Sequence, residues 1–348
     1  MKVDPVAPLT SLRHLDVLDG WRGVSILLVL GAHLLPLGGP LANASVGLVG
    51  MVLFFNLSGF LITSFLLKPT ATLPEFLIRR FFRIVPLAWL FFAIVFIFQH
   101  ETLDSWLAHF LFYANLPPPR IRLATDHMWS LCVEVQFYIG IALLFGLLRA
   151  RGLLLLPVLG LLFTLLRVHD HVYASSISWY RVDEILAGCT FALAYHGRLG
   201  RIGNAMVDFS KAAPQWLLLC LLMISSLFGL EHGAWTSYFR PYLGALLIGA
   251  TVLNPHTILV RWLKQRVLIY LASISYAVYV IHIGLVHTWL GSGDLLEKYA
   301  KRPLLLLVLI LLAHLSTFHF EHPMIELGKR LARSLKRNAT APTVAESP

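Results

Sequence analysis

The chain has 348 residues, 57% of them hydrophobic and only 13% charged. Soluble domains carry about a quarter charged and about half apolar residues. Halved charge with a mean hydropathy of +0.74 therefore excludes a soluble globular protein, a disordered chain and a disulfide scaffold. The net charge of +10 is spread in short clusters between apolar runs, so it signals topology rather than nucleic-acid binding.

A membrane span needs about 20 predominantly apolar residues. In chain order, ten segments approach this: 20–37, 45–67, 81–98, 128–148, 152–168, 182–196, 214–230, 237–253, 267–290 and 303–320. The residues before Asp19 hold no apolar leader core, so no cleavable signal is expected ahead of the first span. The stretch 102–116 is too short and polar to span and reads as an interfacial or re-entrant helix before Pro117. The 28 Lys and Arg divide 20 to 8 between alternate sides, which places both termini in the cytoplasm. The expected fold is thus all-α and polytopic, with about ten transmembrane helices. A cytoplasmic segment 1–19, a ten-helix domain 20–330 and a disordered cytoplasmic tail 331–348 complete the organisation. Cys132, Cys189 and Cys220 lie inside apolar runs without metal-ligand spacing, so they read as small core residues, and no disulfide or metal site is expected.

Polar groups inside spans are costly and mark function by default. In the first span Arg22 and His33 share a helix face, about 16 Å apart along the axis. His33 then lies deep in the membrane, either as a general base or as a histidine satisfied by a neighbouring helix. In the fourth span His127, Ser130, Glu134 and Tyr138 form one stripe, and Glu134 must face the bundle interior or water. Ser275, Tyr279 and His282 repeat the pattern in the ninth. Between spans two and three, Arg79, Arg80 and Arg83 open a helix opposite the Ser58–Ile62 segment, where Ser58 and Gly59 stand. Guanidinium forks suit phosphate, so a phosphate-bearing cytoplasmic ligand is expected there. The same stripes would also serve a proton-coupled exporter or flippase. The arginine cluster and the absence of a visible inverted repeat favour an enzyme.

Six ordered segments carry a resemblance: LDGWRGVSILLVLGAH (Leu18–His33), FFNLSGFLIT (Phe54–Thr63), RRFFRIVPLAW (Arg79–Trp89), HMWSLCVEVQFY (His127–Tyr138), ISYAVYVIH (Ile274–His282) and EHPMIELGKRL (Glu321–Leu331). The chain resembles the acyltransferase-3 family of integral membrane acyltransferases over almost its full length, as a membrane domain without the esterase-like domain fused to many members. It departs from the family in having Glu134-Val135 where paired glutamates are usual, and Ile281-His282 where Trp-His is common. The resemblance implies transfer of an acyl group, commonly acetyl, from cytoplasmic acyl-coenzyme A to a hydroxyl. The implied acceptor is a glycan, a lipid-linked sugar or a sugar-bearing small molecule. It implies a multi-pass protein of the bacterial inner membrane, with no metal and no nucleic acid. His33, Glu134 and Arg22 would be catalytic, with His33 as base or acyl carrier. Arg80, Arg83, Ser58 and Gly59 would hold the coenzyme. Glu134 and His33 are expected to face one cavity as a unit.

Overall fold

The structure, a computed structural model, describes residues 12–35, 40–231 and 235–340. Its helices are α1 (Leu12–Leu34), α2 (Pro40–Leu66), α3 (Leu73–Gln99), α4 (Leu103–Phe110), α5 (Trp129–Gly152), α6 (Leu156–His169), α7 (Val182–Tyr195) and α8 (Gly200–Ala212). They continue as α9 (Gln215–Glu231), α10 (Arg240–Leu253), α11 (Ile258–Leu263), α12 (Arg266–Val286), α13 (Leu295–Ala300), α14 (Arg302–Ser316) and α15 (His322–Thr340). There is no strand among the described residues.

Local chemistry accounts for the sharper boundaries. Thr72 caps α3 by accepting from the Glu75 amide at 3.4 Å, with a proline in the first turn, where its missing N–H costs nothing. Thr102 caps the eight-residue α4 in the same way through Ser105. That short helix lies within the stretch 102–116 and, at eight residues, is too short to span, as the sequence suggests.

Apolar helices stand at each of the ten expected places, but spanning length is rarer. Among the described residues six helical stretches are long and apolar enough to cross a membrane, or seven if α8 and α9, bent by 100°, form one span. The expectation of about ten counted hydrophobic segments, whereas tertiary structure sets their length. Helices α7 and α10 have 14 residues each and reach about 21 Å, short of a hydrocarbon core of about 30 Å. Helices α5 and α6 belong to one helical stretch, Leu123–His169, broken where Arg149 adopts φ 54°. Helix α7 is enclosed along most of its length, so it needs no lipid-matched span.

Two further expectations shift. Helix α1 begins at Leu12, inside the segment assigned as 1–19, and α15 runs on to Thr340, past the boundary placed at 330. Residues 1–11, 36–37 and 341–348 of those assignments lie outside the described residues. Cys132 and Cys189 are buried as expected, whereas Cys220 is exposed on α9.

The helices that matter for function approach closely. A Cβ on Gly23 would lie 2.4 Å from the Leu268 carbonyl oxygen, so α1 seats directly on the backbone of α12. Ion pairs lock α6, α7 and α10: Arg167 meets Asp183 at 2.6 Å and Arg181 meets Glu184 at 2.9 Å, all four side chains almost wholly buried. Arg240 joins by donating to the Tyr173 carbonyl at 2.8 Å. Arg167, Arg181 and Arg240, which the sequence shows as basic residues beside or between apolar runs, are interior partners of carboxylates rather than loop charges.

Candidate active site

Arg22, Ser58, Arg80, Arg83, Glu134 and Tyr138 converge around a cavity of about 60 Å³ between α1, α2, α3 and α5. Arg80 and Arg83, three residues apart, share a helical face. Arg79 turns away to pair with Glu75 at 2.7 Å, leaving the other two at the cavity. Arg83 remains accessible to solvent although protein crowds it on all sides, the setting of a group that lines a crevice. Arg80 lies 5.3 Å from the Tyr138 ring centre and donates to its hydroxyl at 3.4 Å. Neither Arg80 nor Arg83 has a carboxylate within ion-pair distance among the described residues, and Arg22 meets Asp19 only at 3.4 Å. Three guanidiniums face two carboxylates, Asp19 paired with Arg22 and Glu134 held by Ser58 and Tyr138, and the positive excess suits an incoming polyanion.

Glu134 is buried and accepts two hydrogen bonds on one oxygen, from Ser58 at 2.6 Å and from the Tyr138 hydroxyl. It thus ties α2 to α5 behind the arginines. Gly59, grouped with Ser58 from the sequence, faces elsewhere. A Cβ there would lie 2.0 Å from the Ile185 carbonyl oxygen, and one on Gly188 would lie 2.1 Å from that of Asn56. Gly59 therefore lets α2 and α7 touch backbone to backbone and is a packing residue rather than a ligand of the coenzyme.

Two further cavities continue the line. The arginine cavity shares Arg22, Phe54, Glu134 and Tyr276 with one of about 30 Å³ that Ser25, Ser130 and Tyr279 also line. This one in turn shares Val29, Met51 and Tyr279 with a cavity of about 390 Å³ walled by His33, Asn43, Asp126, His127 and Trp129. A water site needs about 10–15 Å³, so the middle segment, at about 30 Å³, has room for only two or three waters. The histidine cavity has room for something far bulkier.

His33 does not pair with Glu134, and the expectation that the two face one cavity is corrected. Glu134 lines the arginine and middle cavities, His33 only the wide one. The neighbour of His33 is His282, whose Nε2 lies 3.3 Å from His33 Nδ1, and His127 meets His282 edge to face with ring centres 4.8 Å apart. Backbone carbonyls assign the tautomers, because a carbonyl can only accept. His33 Nδ1 contacts the Val29 carbonyl at 2.9 Å, so it carries the proton and Nε2 the lone pair. His282 Nδ1 donates to the Tyr279 carbonyl at 2.7 Å, which leaves its Nε2 free to accept from His33. His127 Nε2 donates to the Val280 carbonyl at 3.1 Å. Each ring is therefore held in one orientation, and the unprotonated Nε2 of His33 has no partner among the described residues.

The sequence had shown His127 and His282 as members of polar stripes without assigning them to the site. Their signal was the helical offset, which aims His127 with Ser130 and His282 with Tyr279. In the structure Ser130 and the Tyr279 hydroxyl meet at 2.6 Å, stitching those two stripes together. Trp129 was missed. It lines the histidine cavity and is backed by the buried Arg181 guanidinium 4.9 Å from its ring centre. No group of three or more His, Cys, Asp or Glu side chains among the described residues, the histidine cluster included, is arranged to hold a metal ion.

The chain belongs to the acyltransferase domain family of membrane proteins, whose profile matches residues 15–320. It is 26% identical over 331 residues to the peptidoglycan O-acetyltransferase OatA of Listeria monocytogenes, covering 79% of this chain and 50% of that protein. It is 27% identical to the putative peptidoglycan O-acetyltransferase YrhL of Bacillus subtilis, covering 78% of this chain and 48% of that protein. With a putative O-acetyltransferase of Staphylococcus aureus strain COL it shares 22% identity, covering 82% of this chain and 53% of that one. The chain thus spans about half the length of the curated relatives it matches. No solved structure matches it.

Proposed function

We propose that this protein is a membrane-embedded O-acyltransferase. It would move an acyl group, acetyl in particular, from acyl-coenzyme A to a hydroxyl of a glycan of the peptidoglycan type. The observation that carries the reading is the run of three adjoining cavities from an arginine cluster to a histidine whose Nε2 lone pair is free.

The two ends accept different molecules. Arg22, Arg80 and Arg83 suit the phosphates of coenzyme A, and the narrow middle segment suits only an extended chain such as its pantetheine arm. A sugar does not fit there, so the acceptor enters by the wide cavity at His33. The reaction meets at the boundary between the two. Nε2 of His33 takes the proton of the acceptor hydroxyl as its oxygen attacks the thioester carbon. The carbon–oxygen bond forms, the carbon–sulfur bond breaks, and the imidazolium returns the proton to the departing thiolate. Confinement away from bulk water keeps the thioester from hydrolysis.

The test uses purified protein in nanodiscs with radiolabelled acetyl-coenzyme A and a soluble peptidoglycan fragment. Wild type should transfer label to the fragment. His33→Ala should lose about 10²–10⁴-fold in turnover, the usual worth of a general base, while remaining folded. Label transfer that survives His33→Ala undiminished would overturn the assignment.

A further inference from the structure

A groove of about 700 Å³ runs between α3, α12 and α14, and it belongs to neither the arginine nor the histidine site. Along α3 it extends from Leu87 to Gln99, about 18 Å at the rise of a helix, or roughly half of a hydrocarbon core of about 30 Å. Its position on α3 lies beyond Arg80 and Arg83, towards the opposite membrane surface.

Its walls identify the occupant. Leu90, Ile94 and Leu315 are 44%, 50% and 43% exposed and lie on membrane-spanning stretches, where hydrocarbon rather than water is the solvent. Three of the four polar lining residues gather at one end, where Gln99, His287 and Thr288 follow or close the ends of α3 and α12, and the fourth, Ser316, ends α14. Gly284 deepens the groove: a Cβ there would come within 2.8 Å of the Phe91 ring, which occupies that space. Phe91 in turn sets its edge against His127, with ring centres 6.0 Å apart, so one ring separates the groove from the histidine cluster. At the polar rim the separation is equally thin. Ala124 lines the groove, whereas Asp126 and His127 of the same short 3-10 turn line the histidine cavity.

We propose that the groove is a binding site for the hydrocarbon chain of a membrane amphiphile in the leaflet opposite the arginines, holding its head group at the mouth of the histidine cavity. An apolar wall with a polar rim at one end matches one tail with one head. Transfer of a chain from lipid into an apolar groove gains little hydrophobic energy. The site selects by shape and by what the head reaches across the Leu123–Met128 turn. The tail site stands on geometry alone, while presentation of a hydroxyl to His33 rests on the acyl-transfer reading.

The experiment is photolabelling of the full chain in nanodiscs with an alkyl glucoside that carries a mid-chain diazirine. Label should concentrate severalfold on Leu90, Ile94 and Leu312 over Leu161, Leu162 and Leu165, which are comparably exposed on α6. Equal labelling of both sets would overturn the site. Ile94→Trp combined with Leu315→Trp fills the groove. These changes should abolish the focused label and raise the KM for the alkyl glucoside as acceptor severalfold, leaving methyl glucoside unaffected. Focused labelling with an unchanged KM would overturn the presentation of the head group. Focused labelling with neither glucoside acylated would leave the groove standing and count against the proposed reaction.

Discussion

Removing the His282 acceptor isolates the part that the histidine cluster plays. The proton on His33 Nδ1 is shared between the Val29 carbonyl at 2.9 Å and His282 Nε2 at 3.3 Å. When His33 takes a proton at Nε2 the ring becomes a cation and both bonds become charge-assisted. A hydrogen bond to a charged group contributes about 1.5–3 kcal/mol, so losing the one from His282 should cost about 10–200-fold in turnover. His282→Leu should therefore lower kcat by that factor and leave the KM for both substrates near wild type, because His282 is wholly buried and touches neither ligand cavity. His282→Gln, whose amide oxygen can accept, should recover part of the loss. In a His33→Ala background His282→Leu should add little, as expected of residues that act as a unit. The assay is label transfer from acetyl-coenzyme A, normalised to monodisperse protein. An unchanged kcat in His282→Leu, or a loss confined to KM, would refute the argument.

Replacing Arg80 and Arg83 together with Lys keeps the charge but removes the forked geometry. It should raise the KM for acyl-coenzyme A severalfold with membrane topology unchanged, as read by steady-state kinetics and cysteine accessibility. Glu134→Gln should loosen Tyr138 from Arg80 and act chiefly on the same KM. Its effect should add to that of His33→Ala, measured in the double variant. Arg167→Leu strands the buried Asp183 carboxylate. An unpaired buried charge of this kind costs about 3–5 kcal/mol, which should appear as a lowered unfolding temperature that the Arg167→Leu/Asp183→Leu pair largely restores.

Much of this protein could be read before any coordinates. Hydrophobic runs, basic clusters and helical offsets are local properties, so the ten apolar helices, the shared face of Arg22 and His33, and the paired Arg80 and Arg83 were all legible. A helix also fixes how far along its own axis a residue sits but not how neighbouring helices are offset, and His33 stands level with His127 and His282 rather than with Glu134, seven positions past His127 along the chain. Depth does not say which neighbour a side chain turns towards. That depends on how helices pack, and packing made His282, 249 positions away, the partner of His33, and gave Glu134 to Ser58 and Tyr138. The same holds for Gly59, whose missing side chain serves a backbone contact with α7 rather than a ligand. It holds also for Arg167, Arg181 and Arg240, which look like loop charges in the sequence and become interior ions once α6, α7 and α10 close around Asp183 and Glu184. Local sequence set the helices and their chemistry, while the azimuth of each helix against its neighbours, decided only by tertiary packing, chose the partners.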